Sequence, residues 1–376
     1  MFVYQRLASL GRLEDLRVCS PVPWFPLLTR RNSLNGSNQE EWLGRNVYRP
    51  HFFYVPRFLK NMDGCLYGRG LRGWFKELCR SWRPDLLDAH FVWPDGVGVA
   101  NLAKEFGLPY SITLRGKLYE CLKVPEQRRQ CAVALQGAAA VISVSSRMAE
   151  EASKLGVARE RLHVIPNGVD RECFHPRNRR ECRHLLGLPE EGRLLVTVAH
   201  LGHRKGHHEV IQALAKLPDD VRLVIVGGAA QGGTAEGLRA VASDAGVKKR
   251  LIIPGPQPYE RIPLYFSAAD ASVLASYREG CPNAVLESLA CGTPVIATDV
   301  GAVPDILPVP HAGRILPPQQ VEPLYAALAD VLDTKWDADE VVANSGVQTW
   351  DNVATKVQEV FKQVLSAKSL SVGSKK

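Results

Sequence analysis

A chain of 376 residues with 45% apolar and 23% charged residues is long enough for about two domains of ~100 to 200 residues each, and too apolar to be disordered or fibrous. No apolar run reaches the ~18 residues that span a bilayer, and the opening MFVYQRLASLGR lacks the organisation of a cleavable signal. The nine cysteines, odd in number and without C-x-x-C spacing, argue against a disulfide framework or a zinc site, so reduced thiols and a cytoplasmic location are expected. The formal charge of +8 is uneven: residues 1–170 hold 24 Lys and Arg against 16 Asp and Glu, and the rest holds 23 of each. The amino-terminal half is therefore the one expected to meet an anionic partner.

In chain order, Val3 to Leu13 reads as a helix with Val3, Leu7 and Leu10 on one face, and Leu16 to Pro21 as a short strand. Pro21 to Pro56, rich in Pro, Arg, Asn and Trp without periodicity, reads as a long loop region, which is usually functional. Residues 66–84 mix five Lys or Arg with Leu71, Trp74, Phe75, Leu78 and Trp82 at i, i+3, i+4 spacing. A core-facing stripe opposite solvated charges is one reading; an interfacial helix on anionic lipid headgroups is the other. Strands follow at Leu86–Ala89, Tyr110–Leu114, Ala140–Val144 and Leu162–Ile165, alternating with helices at Val97–Glu105, Glu126–Gln136 and Ser146–Leu155.

Asn167-Gly168 is a turn-forming pair suited to a hinge. Beyond it, strands fit Leu194–Ala199, Val221–Val226, Arg250–Ile253, Ala271–Ala275 and Pro294–Thr298. Helices fit His207–Lys216, Thr234–Ala245, Tyr259–Ser267, Asn283–Ala290, Val303–Ile306, Val321–Leu332 and Trp350–Leu365. Such alternation argues for parallel sheets covered by helices. Ser366 to Lys376 reads as a short, polar, disordered tail.

The most informative segment runs from Arg278 to Leu307. It follows the buried-strand pattern DASVLAS at 270–276, and Ser276 to Cys281 form the loop at that strand's carboxyl end. Pro282 suits a first helical position, where its missing N–H is no loss. The start of the 283–290 helix offers free backbone N–H groups and a positive dipole end to a diphosphate. Glu279 and Glu287 stand on either side of that start, and a carboxylate in such a place can grip vicinal hydroxyls as an acidic residue grips ribose in dinucleotide folds. The layout suits a nucleotide sugar.

Glu279, Gly280, Pro282, Leu286 and Glu287, with the Ala290-Cys291-Gly292-Thr293-Pro294-Val295 run and Gly301, resemble the donor-site signature of glycosyltransferase family 4. Ile165 to Asp170, Arg204-Lys205-Gly206 and Leu223 to Gly228 extend the resemblance, and His90 to Ser146 do so more weakly. The resemblance implies a GT-B fold: two Rossmann-like, doubly wound α/β domains facing a central cleft. These are an acceptor-side domain at 1–168, joined by a closing helix at 350–365, and a donor domain at 169–349. It implies retaining transfer of a sugar from a nucleoside diphosphate to a lipid-linked, polysaccharide or other glycan acceptor, without metal or other cofactor. The family pattern opens with a strand and a glycine-rich loop, whereas this chain starts inside the following helix. The amino-terminal sheet is thus expected to lack its first strand, through truncation or a rebuilt sheet. A catalytically impaired nucleotide-sugar-binding paralogue and a nucleotide-sugar epimerase are the alternatives; no module for nucleic acid is present.

Residue by residue, the resemblance gives the sugar to Glu279, the ribose to Glu287 and the diphosphate to Lys205. Arg204, Gly202, Gly228, Gly280 and Asn283 complete the donor set. His200 stands where relatives often carry an arginine. His90 ends a strand and faces the cleft or serves as a satisfied buried histidine. Arg115 replaces a histidine that contacts the transferred sugar; a guanidinium is no base at neutral pH but can hold a diphosphate or an anionic acceptor. His200, His203, His207, His208 and Glu209 fit no common zinc pattern, and Asp337-Ala338-Asp339 reads as a solvated polar segment rather than a metal-binding Asp-x-Asp.

Overall fold

The computed structural model describes residues 2–25, 39–42, 45–230 and 232–373. The chain divides into one unit of Met1–Ile165 with Asp351–Lys376 and another of Pro166–Trp350.

The first unit opens with helix α1 (Phe2–Leu10), followed by short strands β1 (Val18–Cys19), β2 (Val22–Trp24), β3 (Gln39–Trp42), β4 (Arg45–Tyr48) and β5 (His51–Phe53). Four of these strands fall in the stretch expected to be a loop. A proline hid β2: Val22 N–H bonds Pro50 O and Tyr54 N–H bonds Trp24 O, so Pro23 points away from β5, where no donor is needed. Helix α2 (Asp63–Ser81) leads to β6 (Leu87–His90), α3 (Val97–Phe106), β7 (Tyr110–Leu114), α4 (Leu118–Cys121), α5 (Pro125–Gly137), β8 (Ala140–Ser143), α6 (Ser146–Lys154) and β9 (Leu162–Val164). The sheet is parallel in the order β6-β7-β8-β9, with β6 at its edge and the short strands in separate sheets. A cavity of about 950 Å³ borders that edge, between residues 85–91 and residues 15–21.

Helix α2 turns its stripe inward. Leu71 and Phe75 are 4% exposed, Trp74, Leu78 and Trp82 are half-buried along the cavity, and Arg69, Arg72, Lys76, Arg80 and Arg83 are exposed. This is the core-facing reading of the 66–84 pattern.

In the second unit the elements are α7 (Arg179–Leu186), β10 (Arg193–Val198), α8 (His207–Leu214), β11 (Val221–Val226), α9 (Ala235–Asp244), β12 (Leu251–Gly255), α10 (Ile262–Ala268) and β13 (Ala271–Leu274). They continue with α11 (Asn283–Ala290), β14 (Val295–Thr298), α12 (Val303–Ile306), β15 (Gly313–Leu316), α13 (Val321–Asp333) and α14 (Ala338–Ser345). Six parallel strands run in the order β12-β11-β10-β13-β14-β15. Central strands covered on both faces must be apolar on both, and Val221, Leu223, Val224, Ile225 and Val226 are all buried.

Three elements of this unit escaped the sequence pattern. Helix α7 has little apolar face; Asn178 caps it through Glu181 N–H at 3.0 Å. The buried Arg183 then anchors it by donating to Ala268 O, Glu190 O, Gly192 O and Asp270 Oδ2. In β15 the apolar run is broken by Arg314, which reaches Asp330 at 2.6 Å. Asp337, expected in a solvated segment, accepts from Asp339 N–H and Glu340 N–H and caps α14.

The last helix, α15 (Trp350–Gly373), corrects the expected disordered tail. No glycine or proline interrupts Ser366 to Val372, so the helix continues to Gly373; residues 374–376 lie outside those described.

Candidate functional site

The strand order of the second unit reverses at β10, which has β11 on one side and β13 on the other. In open parallel sheets such a switch point leaves a crevice at the carboxyl ends of the strands, where ligands bind. The loops that border it here are 199–206 after β10 and 275–282 after β13. They touch closely. Gly206 has φ +68°, and a Cβ there would lie 2.0 Å from Ala275 O, so only glycine permits this approach. Tyr277 N–H donates to Arg204 O at 2.8 Å. Across the seam, Lys205 Nζ meets Glu279 Oε1 at 2.5 Å, with side chains 23% and 14% exposed. The residues expected to hold diphosphate and sugar are thus neighbours in the ligand-free protein.

Helix α11 starts beside this pair. Pro282 is its N-cap with φ −76° and ψ 106° rather than its first helical residue, which is Asn283. Asn283 Oδ1 accepts from Asn167 Nδ2 at 2.8 Å, so its side chain is already engaged. The loop before the helix is braced from behind: Ala302 N–H donates to Gly280 O at 2.8 Å. Gly301, with φ +55°, packs where a Cβ would come within 2.5 Å of both Glu279 O and Gly280 O. Glu287 lies one turn into α11. Its carboxylate has no hydrogen-bond or ion-pair partner among the described residues, and burial pushes its pKa up to about 7. A carboxyl group shifted in this way and without a partner is a candidate binding position.

The other expected donor residues line the same loops. Lys205 N–H donates to Gly202 O at 2.9 Å and closes the turn His203–Lys205, whereas Arg204 is exposed. Gly228 O accepts from Leu201 N–H at 3.0 Å and ties the loop after β11 to the one after β10. His207 is buried, lies 3.0 Å from His200 O through Nε2, and is pushed down to about 4 by burial. Among the described residues no group of three or more His, Cys, Asp or Glu side chains is placed to hold a metal ion.

His90 and Arg115 meet in the first unit, inside a buried polar cluster. Arg115 Nη2 approaches His90 Nδ1 at 3.5 Å and its guanidinium lies 4.7 Å from the Phe2 ring. His90 Nε2 is 3.2 Å from Asp88 Oδ2, Ser111 Oγ donates to Asp88 Oδ1 at 2.6 Å, and Arg6 Nη1 donates to Thr113 Oγ1 at 2.9 Å. Burial pushes His90 down to about 4, with the Asp88 carboxylate pulling the other way, so the imidazole is neutral near pH 7. Arg115 is 5% exposed and Arg6 2%.

The model of Glycosyltransferase Family 4 matches residues 27–172, and that of Glycosyl transferases group 1 matches residues 178–346. The glycosyltransferase TuaC of Bacillus subtilis, named for teichuronic acid biosynthesis, is 30% identical over 379 residues, covering 97% of this chain and 90% of the relative. The chain belongs to glycosyltransferase family 4. A D-inositol 3-phosphate glycosyltransferase of Acidothermus cellulolyticus is 28% identical over 308 residues, covering 75% of this chain and 68% of the relative. Sucrose-phosphate synthase from Thermosynechococcus elongatus shares the fold with a TM-score of 0.79 at 22% identity, covering 97% of this chain and 93% of the other. HepE of Anabaena, solved in complex with UDP, does so with a TM-score of 0.72 at 20% identity, covering 84% and 86%. The fold is GT-B, and the protein is a glycosyltransferase of this family.

In this glycosyltransferase the sequence pattern missed several residues around the expected ones. Asp88, Arg6 and Ser111 surround His90; as single polar residues in a strand or helix they carry no signal of their own. Tyr277 and Glu209, whose side chains meet between the loop after β13 and the first turn of α8, stand outside the family signature quoted above.

Proposed function

We propose that this glycosyltransferase moves a sugar from a nucleoside diphosphate to a glycan or lipid-linked acceptor with retention of configuration. The carrying observation is the Lys205–Glu279 contact at 2.5 Å beside the start of α11, with Glu287, which has no partner among the described residues, one turn further on. Lys205 and the α11 N–H groups would neutralise the diphosphate, Glu279 would hold the sugar and Glu287 the ribose hydroxyls. The C1–O bond to the diphosphate breaks as the acceptor hydroxyl bonds C1 from the same face. The leaving phosphate oxygen takes the acceptor proton, so no protein base is required. Protein groups position and stabilise charge, and no divalent cation is needed.

The buried Arg115, held at His90, supports an acceptor that carries an anionic group. Relatives named for teichuronic acid biosynthesis and for D-inositol 3-phosphate point the same way. The exposed basic face of α2 supports contact with anionic lipid, and nine free thiols support a reducing, cytoplasmic setting. No described helix is long and apolar enough to cross a membrane.

The test is a screen of nucleoside diphosphate sugars with and without glycan acceptors in the presence of EDTA, with the product's anomeric configuration read by NMR. The reading expects a retained configuration. Glu287→Ala should weaken donor binding and Glu279→Ala should lower turnover. A donor converted to its epimer without acceptor, or near-normal kinetics in both variants, would overturn it.

A further inference from the structure

Tyr277 grips the loop after β10 and the helix that follows it at three points. Its backbone N–H bonds Arg204 O at 2.8 Å, its ring meets His203 edge-on at 5.4 Å, and its hydroxyl donates to Glu209 Oε1 at 2.5 Å. Glu209 stands in the first turn of α8, just after the turn that carries Lys205. Burial, with the bond to Glu209, pushes the phenol up to about 12, so it stays a donor at neutral pH. The Glu209 carboxylate gives one oxygen to Tyr277 while the other, Oε2, is buried without a hydrogen-bond partner among the described residues. For stability alone an apolar pair of similar volume would serve as well or better. What the polar pair supplies is a fixed distance between two loops, each of which carries one half of the donor grip.

We propose that Tyr277 and Glu209 form a positioning pair that sets the spacing between Lys205 and Glu279, and so couples the hold on the diphosphate to the hold on the sugar. The pair touches neither ligand; it acts through the two loops. The inference rests on the donor assignment given above, and its test separates the two.

Tyr277→Phe keeps the ring and its His203 contact and removes only the hydroxyl. In the ligand-free protein, amide hydrogen exchange should speed up in both 200–206 and 276–281. In turnover, Tyr277→Phe and Glu209→Ala should each lower kcat/KM for the donor about tenfold, as expected for losing a charge-assisted bond. The double variant should be no worse than either single one. Glu209→Gln, which keeps an acceptor, should recover most of the loss, while Tyr277→Phe, which leaves the Glu209 carboxylate without its donor, should also lower Tm by a few degrees. Exchange confined to 276–281, or additive losses in the double variant, would overturn the pair. So would normal turnover in Tyr277→Phe while Lys205→Ala and Glu279→Ala are impaired. Normal turnover in all three would instead sink the donor assignment, and the exchange result would still decide whether Tyr277 joins the loops.

Discussion

Gly206→Ala probes the seam between the two donor-side loops with a single methyl group. At φ +68° an L side chain costs about 1 to 2 kcal/mol. In addition the new Cβ would sit 2.0 Å from Ala275 O, whereas real Cβ contacts do not fall below 3.0 Å, so one loop must retreat by about 1 Å. The obstacle is backbone at the end of β13, which has no rotamer to yield. A displacement of about 1 Å between groups that grip one substrate can cost about 100-fold in rate. Gly187→Ala is the matched control: φ is +63° there and no atom lies within 4 Å of the added Cβ. The control should lose only the backbone term, about 2 to 4 °C in Tm per kcal/mol for a unit of this size, with unchanged kinetics. Gly206→Ala should lose more Tm than the control and about 100-fold in kcat/KM for the donor. The assays are thermal melting and initial-rate kinetics in the donor concentration. If the two variants match in both, the loops are not held at contact distance and the seam has no role in the grip.

Glu287, raised to about 7 by burial, should make donor affinity fall as pH drops through 7, because the protonated acid loses an acceptor for ribose hydroxyls; an affinity flat from pH 6 to 8 would contradict this. The sign for stability is opposite: a carboxyl raised in the folded state contributes stability below its unfolded pKa of ~4.3 that is lost as pH rises through about 7. Glu287→Gln should therefore stabilise the ligand-free protein at pH 8, by up to about 3 kcal/mol, and hardly at pH 4; equal melting temperatures at pH 8 would refute the buried placement. Phe174, fully buried against Tyr259 and Phe266 with ring centroids at 5.2 and 6.5 Å, should cost about 3 to 5 kcal/mol as Phe174→Ala, read by denaturant unfolding. Asn178→Ala removes the cap of α7 and should cost about 1 kcal/mol with kinetics intact; a loss of activity would mean that α7 does more than support the sheet.

The donor half of the protein was legible because its strands are continuous apolar runs and its motifs sit at strand ends, where the fold places ligands. Val221–Val226 and Asn283–Ala290 have the bounds expected of them. Elements held by other means were not legible. Helix α7 hangs on a buried arginine and a cap, β15 is broken by an arginine, and β2 hides behind Pro23, which faces away from its ladder. The same holds at the site. Glu279 and Glu287 could be singled out from their places around a helix start and Lys205 from the family resemblance, while Tyr277 and Glu209 could not, since they meet only in the folded chain, 68 residues apart in sequence. Arg115 and His90 could be placed at strand ends, but the burial, with Arg6 and Arg115 nearby, that keeps His90 neutral against the pull of Asp88 comes only from packing.

We infer that the start of α11, with Lys205 and Glu287, holds a nucleoside diphosphate. Calorimetric titration of the protein at pH 8 with uridine, adenosine and guanosine diphosphates, repeated on Lys205→Ala and Glu287→Gln, tests it most directly. At least one diphosphate should bind the wild type, and each variant should weaken that binding tenfold or more with the fold intact. Equal affinity in all three proteins, or no binding of any diphosphate to the wild type, would contradict it.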